Sequence, residues 1–453
     1  MKKNNLPLNI REKMNSRISF IAAVAAMVVL VLLFHQLDEN MIQKPAREAI
    51  QLAQKEKEEA EEKASRPEVL TANILAVGDN LFQNIPLLAG ESSSGNWNYD
   101  FVYANIKNRI QSADLSIIPQ ETVLTTNHDL VTTDDPYYAT PTEVGDALIA
   151  AGFDVVAGAS NHVDDFGSSY ISQTLSYWSA HPEVTLLGLH DAGNPTDIRI
   201  LEINGILISL VNYTYGTNQT GSDSKSDSMI DFFEQTSIAD AISKARANSD
   251  VVIFIAHWGN NDQTEPSAYQ KQWATWLMKQ GVDVIIGSHP HVLQPYGTLS
   301  DQAGNQLLVF YSLGNFVTGQ TMLDNVLGGM ATFTIRKSTF NDVTTVEVTD
   351  PKVEAVVMHE SYSQQTGAVY LLDNYTDQLA SDHMVTAIGD EEFSVSLLQK
   401  RFRQIMEKNV TPDSGTDKMT VSSSYDDDYD DDYDDYDDYD DYDDYDDYDE
   451  DYD

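Results

Sequence analysis

The chain has 453 residues, 42% of them apolar, enough to bury a sizeable core, and length alone suggests two or three domains. Its formal charge of −45 at pH 7 excludes a phosphate-binding surface of the kind nucleic-acid partners require. It contains no cysteine, which removes disulfide frameworks and lipid attachment through a thiol.

The first element is "ISFIAAVAAMVVLVLLFHQL", Ile18 to Leu37, with no charge before His35. It is long enough to span a hydrocarbon core of about 30 Å as a helix. Lys2, Lys3, Arg11, Lys13 and Arg17 precede it, so residues 1–17 are expected in the cytoplasm and the rest outside. A cleaved signal peptide shares the basic start and apolar centre, but the small-residue run "AAVAA" lies inside the apolar stretch, which favours an uncleaved anchor.

Residues 38–70 form the next segment. Within it Ala46 to Pro67 is rich in Ala, Glu, Lys and Gln and reads as a helical stalk ended by Pro67, or as a solvated spacer. Residues 71–410 then alternate strands with helices. Candidate strands are Asn73 to Asp79, Asp114 to Glu121, Asp154 to Ser160, Asp250 to Trp258 and Asp283 to His289, each a short apolar run suited to a sheet covered on both faces. Helical stretches such as "PTEVGDALIAAG", "SIADAISKARANS" and "AYQKQWATWLMKQG" precede most of them. The pattern is that of a layered α/β domain. Asn204-Gly205 between alternating apolar runs signals a hairpin, and Gln306 to His359 reads as further, antiparallel strands. Residues 411–453 close the chain. From Tyr425 onward the last 29 residues hold 9 Tyr and 20 acidic groups, a composition that predicts a disordered tail. Removing those charges still leaves −25.

In open α/β sheets ligands sit beyond the carboxyl ends of strands. Each strand above ends in a group able to bind metal: Asp79, Glu121, Asn161 with His162, His257, and His289 with His291. A lone strand-end histidine is more often an ordinary surface or core group, but this set is expected to converge on one edge of one sheet. Histidines mixed with carboxylates and an amide suit Mn, Zn or Fe, whereas Ca favours oxygen throughout. The His289-Pro290-His291 turn presents two imidazoles to two metals, or to one metal twice. His128, His181, His190, His359 and His383 lie outside these motifs and read as ordinary, and "YSLGNF" reads as structural.

"VGD" at Val77 to Asp79, "ET-x-LT" around Glu121, "NHVDDFG" at Asn161 to Gly167, "HWG" at His257, "GSHPHVLQP" at Gly287 and "YSLGNF" at Tyr311 to Phe316 resemble the CapA/PgsA capsule-synthesis family. The resemblance implies a calcineurin-like metallophosphatase sandwich and membrane attachment. It also implies a role in making, anchoring or releasing poly-γ-glutamate or a similar anionic capsule or cell-wall polymer, beside other capsule-synthesis membrane subunits. It implies that Glu121 bridges two ions, that Asn161, His257 and His289 complete one site, and that Asp79 with His291 holds the other. His162 is then left as proton donor, oriented by Asp165, with Asp164 the competing partner. The chain departs from the pattern in three places. Asn80 and Leu81 follow Asp79 where metallophosphatases carry Asp-x-His, and Pro119-Gln120-Glu121 replaces Asn-Leu-Glu. Asn260-Asn261 follows "HWG" where a Glu is usual, leaving Glu265 as candidate replacement. One ion or two therefore stays open, as does the choice between an enzyme and a non-catalytic subunit of a polymer synthase or exporter.

Overall fold

The computed structural model describes residues 8–64, 66–91, 95–131, 137–194, 198–218, 224–388 and 393–411. The Tyr-Asp tail lies outside the described residues.

At the N-terminus a helix from Leu8 to Asp38 passes through one wide turn into a second helix, Lys44–Ala64. Its apolar side chains, Phe20, Met27, Leu30 and Phe34 among them, are exposed. It is long and apolar enough to cross a membrane, as a span or as a signal sequence would be. The chain enters the folded domain sooner than residue 71, because the first strand, Glu68–Val77, begins directly after Pro67.

Two mixed sheets pack face to face. The seven-stranded sheet runs Thr366–Leu371, Val343–Ser361, Leu327–Phe340, Glu68–Val77, Leu115–Pro119, Val155–Ala157 and Thr185–Leu187. Its first four strands are antiparallel and its last four parallel. The six-stranded sheet runs Tyr296–Ser300, Gln306–Phe310, Val284–Ser288, Val251–His257, Ile206–Thr214 and Arg199–Ile203, parallel in its centre and antiparallel at both edges. The Asn204-Gly205 hairpin is where the sequence placed it, and strands fill Gln306 to His359, but they are not all antiparallel: Gln306–Phe310 pairs parallel with Val284–Ser288.

Side-chain alternation explains the layering. Ile253 and Ile255 meet Ile74, Ile117, Ile208, Ile286 and Phe333 between the sheets. Their neighbours Val252 and Phe254 face outward onto Ile238 of the helix Gln235–Asn248 and Trp273 and Leu277 of the helix Ala268–Gln280. Outside the seven-stranded sheet, Val144 and Leu148 of the helix Thr142–Ala151 pack with Leu75, Val77 and Ile118. The central strands bury both faces, so they read as unbroken apolar runs.

One expectation is corrected. The strand-end residues do not share an edge of one sheet: Asp79, Glu121 and Asn161 follow strands of the seven-stranded sheet, whereas His257 ends one strand of the other and His289 follows its neighbour. Strands buried on both faces look alike in sequence, so nothing in their residues told the two sheets apart.

Candidate metal centre

The two sheets deliver their carboxyl ends to one place because their backbones approach unusually closely there. A Cβ on Gly78 would lie 1.9 Å from the Gly314 carbonyl oxygen, between the two sheets, and within the six-stranded sheet one on Gly287 would lie 2.0 Å from that of Tyr311. Only glycine permits those contacts. Gly78 carries the chain into Asp79, whose amide donates to the Gly314 carbonyl at 2.9 Å. Gly287 leads through Ser288 into the histidine turn.

His289 has φ +94° and His291 φ +59°, left-handed conformations that side chains other than glycine rarely adopt. The strain is held by contacts at the site itself. The His289 amide donates to Asp79 Oδ2 at 2.9 Å, and His291 Nδ1 donates to Asn315 Oδ1 at 3.0 Å. That second bond leaves His291 Nε2 facing Glu121 Oε1 at 3.6 Å.

Two clusters result, and Glu121 belongs to both. In Glu121, His257 and His289, and again in Asp79, Glu121 and His291, the ligating atoms lie within 4.8 Å of one another. All five residues are buried. His257 Nε2 donates to Asn161 Oδ1 at 2.8 Å, and its Nδ1 lies 3.0 Å from Ser288 Oγ and 3.9 Å from Asp79 Oδ1. Asn161 is thus at the first cluster.

The donor set fits a divalent cation. Asp79 Oδ1, both Glu121 carboxylate oxygens and His289 Nδ1 are buried with no hydrogen-bond partner among the described residues, an arrangement costly for a protein unless a cation satisfies it. Burial pushes the Asp79 carboxyl up to about 7, and burial together with Asp79 and Asp165 pushes Glu121 well above the carboxylate range. Burial and the neighbouring histidines hold His257 and His289 well below the usual imidazole value, and burial above all brings His291 to about 4. Neutral imidazoles are the form that binds metal.

His162 stands beside the clusters without joining either. Its Nδ1 is 2.7 Å from Asp165 Oδ2, and Asp165 Oδ2 also accepts from the Tyr138 amide at 2.9 Å. Tyr138 packs edge-on against the imidazole at a centroid distance of 5.0 Å. Of the two adjacent acids, Asp165 is the one that reaches His162.

Several residues at the site were not anticipated. Asn218 Nδ2 lies 3.3 and 3.4 Å from the two His162 nitrogens, and its Oδ1 accepts from Asn161 Nδ2 at 3.1 Å. Tyr215 packs against His289 at a tilt of 51°, with ring centroids 4.6 Å apart. Both follow the strand Ile206–Thr214, to which the strand-end rule applies equally. Glu265 does not reach the centre: its side chain is 66% exposed and pairs with Lys408. At the first-strand motif, Leu81 is buried where a histidine is usual, and Asn80 is taken up by Gln120 at 2.6 Å and the Tyr103 hydroxyl at 2.7 Å.

Residues 73–320, more than half of the chain, match the family described as bacterial capsule synthesis protein PGA_cap. The chain belongs to that family. Two curated PGA_cap relatives are similar to it. The PGA biosynthesis protein CapA of Bacillus subtilis (strain 168) is 30% identical over 172 residues, 37% of this chain and 43% of that protein. The capsule biosynthesis protein CapA of Bacillus anthracis is 31% identical over 181 residues, 38% of this chain and 42% of that protein. The match thus spans less than half the length of either relative. Among solved structures, a Staphylococcus aureus protein provisionally assigned as a 5'-nucleotidase, in complex with alpha-ketoglutarate, gives a TM-score of 0.37 at 11% identity over 62% of this chain and 54% of that one. A likeness at that level bears on nothing in the site.

Proposed function

We propose that this PGA_cap chain is a membrane-anchored, metal-dependent hydrolase or transferase that acts outside the cell on an anionic capsule or cell-wall polymer, poly-γ-glutamate or a relative of it. In this reading residues 1–17 are cytoplasmic, 18–37 anchor the chain, 38–67 form the stalk, 68–410 the catalytic domain and 411–453 an acidic tail. Support for the enzyme comes from one observation: His162 is excluded from both ligand clusters, yet it is buried at their edge and tied to Asp165.

Glu121, Asn161, His257 and His289 would hold one ion of Mn, Zn or Fe, and Asp79, Glu121 and His291 a second. Such ions supply positive charge to the bond under attack and lower the pKa of an attacking water. The protein's own groups do the rest. Asp165 accepts a hydrogen bond from His162 Nδ1–H and fixes the ring, so that the ring, once it has taken a second proton from solvent at Nε2, can hand that proton to the leaving group. Asn218 and Tyr138 restrict the ring from two sides. The overlap of the clusters at Glu121 keeps the two halves of the centre in register.

The second reading is a non-catalytic assembly or export subunit that uses the metal fold for binding. Leu81 favours it, because the second cluster lacks the histidine usual at that position. His162→Ala separates the two. The enzyme requires metal content and thermal stability near wild type with turnover reduced roughly 10²- to 10⁴-fold, the usual contribution of general acid catalysis. The loss should shrink for substrates with good leaving groups. Full capsule production by His162→Ala cells with metal intact would favour the assembly subunit, and metal loss would make His162 a ligand.

A further inference from the structure

The helix Val395–Met406 lies beyond the segment matched by the family, yet it is wired to the His291 half of the centre. Arg401 forms a two-pronged bond to Asp324, Nε to Oδ1 at 2.7 Å and an Nη to Oδ2 at 2.6 Å. The neighbour of Asp324 is the fully buried Asn325. Its Nδ2 donates to Asp262 Oδ1 at 2.8 Å and to the His291 carbonyl at 3.4 Å. Its own carbonyl accepts from Asn315 Nδ2 at 3.1 Å. Asn315 in turn orients the His291 ring through Oδ1.

Apolar contacts follow the same path. Leu398 and Ile405 of the helix pack in one cluster with Val326 and Leu327, and with Leu293, two residues after His291. Just past the helix, Lys408 grips Glu265 at 2.5 Å, on the loop that carries Asp262. Asp262 reaches the turn a second time, its amide donating to the Pro290 carbonyl at 2.9 Å between His289 and His291, whereas the side-chain bonds of Asn325 and Asn315 fall on His291.

We propose that Arg401 is a positioning residue for the Asp79, Glu121 and His291 half of the centre, acting through Asp324 and Asn325 on the backbone and ring of His291. The proposal rests on the reading of those three residues as one metal site. A bidentate guanidinium–carboxylate pair fixes direction as well as distance, so it sets the loop 324–325 more sharply than a lysine would. Partners behind a ligand typically tune metal affinity roughly 10- to 100-fold.

The test titrates Mn²⁺ into the full-length, metal-free chain in detergent and compares wild type with Arg401→Met, Arg401→Lys and Asp324→Asn. Wild type should take two ions. Arg401→Met should bind one of them roughly tenfold or more weakly and leave the other unchanged, with Arg401→Lys between. Asp324→Asn should match Arg401→Met, and the double variant should add nothing further. A drop in melting temperature with both affinities unchanged would reduce the pair to a structural clamp and overturn the proposal. Should Arg401→Met not fold, Arg401→Lys and Asp324→Asn carry the same comparison. If wild type binds no Mn²⁺, the metal reading fails, and Arg401 is judged on the metal-free chain with isotope-labelled histidine. There the Nδ1–H resonance of His291 should shift or broaden in Arg401→Met, and an unchanged resonance sinks the proposal.

Discussion

Two groups of buried histidines in this molecule have similar ring spacing and opposite chemistry. His359 and His383 lie 5.4 Å apart by ring centroid under the C-terminal helices, and His257 and His289 lie 4.8 Å apart at the sheet ends. Burial depresses the pKa of all four. In the C-terminal pair three of the four ring nitrogens bond within the protein. His359 Nδ1 meets the Tyr375 hydroxyl at 2.8 Å, and His383 Nε2 donates to the Met358 carbonyl at 3.0 Å while its Nδ1 accepts from the Val385 amide at 3.1 Å. At the sheet ends His289 Nδ1 has no such partner among the described residues, and the neighbouring carboxylate, Glu121, has none for either oxygen. Burial and clustering of histidine therefore do not identify a ligand site; what marks the sheet ends is that several unmet polar atoms, from Asp79, Glu121 and His289, fall together, whereas Glu360 Oε1 beside His359 stands alone.

The largest effect that tests this contrast belongs to Glu121→Gln. Glu121 is shared by both clusters, so its replacement should remove both ions, measured as metal per purified chain. At hundredfold excess of free ion over Kd each lost site takes with it about 2.7 kcal/mol of stabilisation. The melting temperature of Glu121→Gln should no longer respond to a chelator. Retention of either ion would show that the clusters do not share a ligand.

Next in size are His289→Ala and His291→Ala, which should each cost one ion and spare most of the other, since the two rings fall in different clusters. His383→Gln is the matched control from the saturated pair and should leave metal content unchanged. Equal metal loss from all three would erase the contrast between the groups.

How far the sequence revealed this centre depended on the kind of information each residue carries. Asp79, Glu121, Asn161, His257, His289 and His291 all follow apolar runs, and strand ends are where an α/β layer presents its side chains, so their convergence was legible. Their division between two sheets was not, because the buried runs 74–77 and 251–256 are alike apolar and pairing is decided by contacts distant in sequence. Asn315 lies in "YSLGNF", read as structural, and it does bond the Asn325 carbonyl, but its grip on His291 needs the folded chain. Glu265 failed as a replacement ligand for a local reason: eight residues past His257 the chain has turned to the surface, where Lys408 meets it. Sequence spacing names residue types that bind metal, whereas the path of a loop decides which of them arrive.

The smallest expected effect concerns acid sensitivity of the saturated pair. Burial brings His359 and His383 from the ordinary 6.5 to about 4. The folded pKa lies below the unfolded one, so between about 4 and 6.5 the unfolded chain binds more protons. The stability each ring contributes is complete above about 6.5 and is lost as pH falls toward 4, at up to about 1.4 kcal/mol per pH unit for each ring. Asp79 and Glu360 have the opposite sign, because burial raises them to about 7 and about 8, and what they contribute is lost as pH rises through those values. A single unfolding curve mixes these groups, so the informative quantity is a difference. His359→Asn keeps a polar atom near the Tyr375 hydroxyl and removes the titrating ring. Urea unfolding of the metal-free chain at pH 7 and pH 5 should show wild type losing on the order of 1 kcal/mol more than His359→Asn between the two, a value discounted for partial solvent screening. A difference independent of pH would mean that His359 titrates as it does in water, and the pair would then owe nothing of its acid sensitivity to burial of that ring.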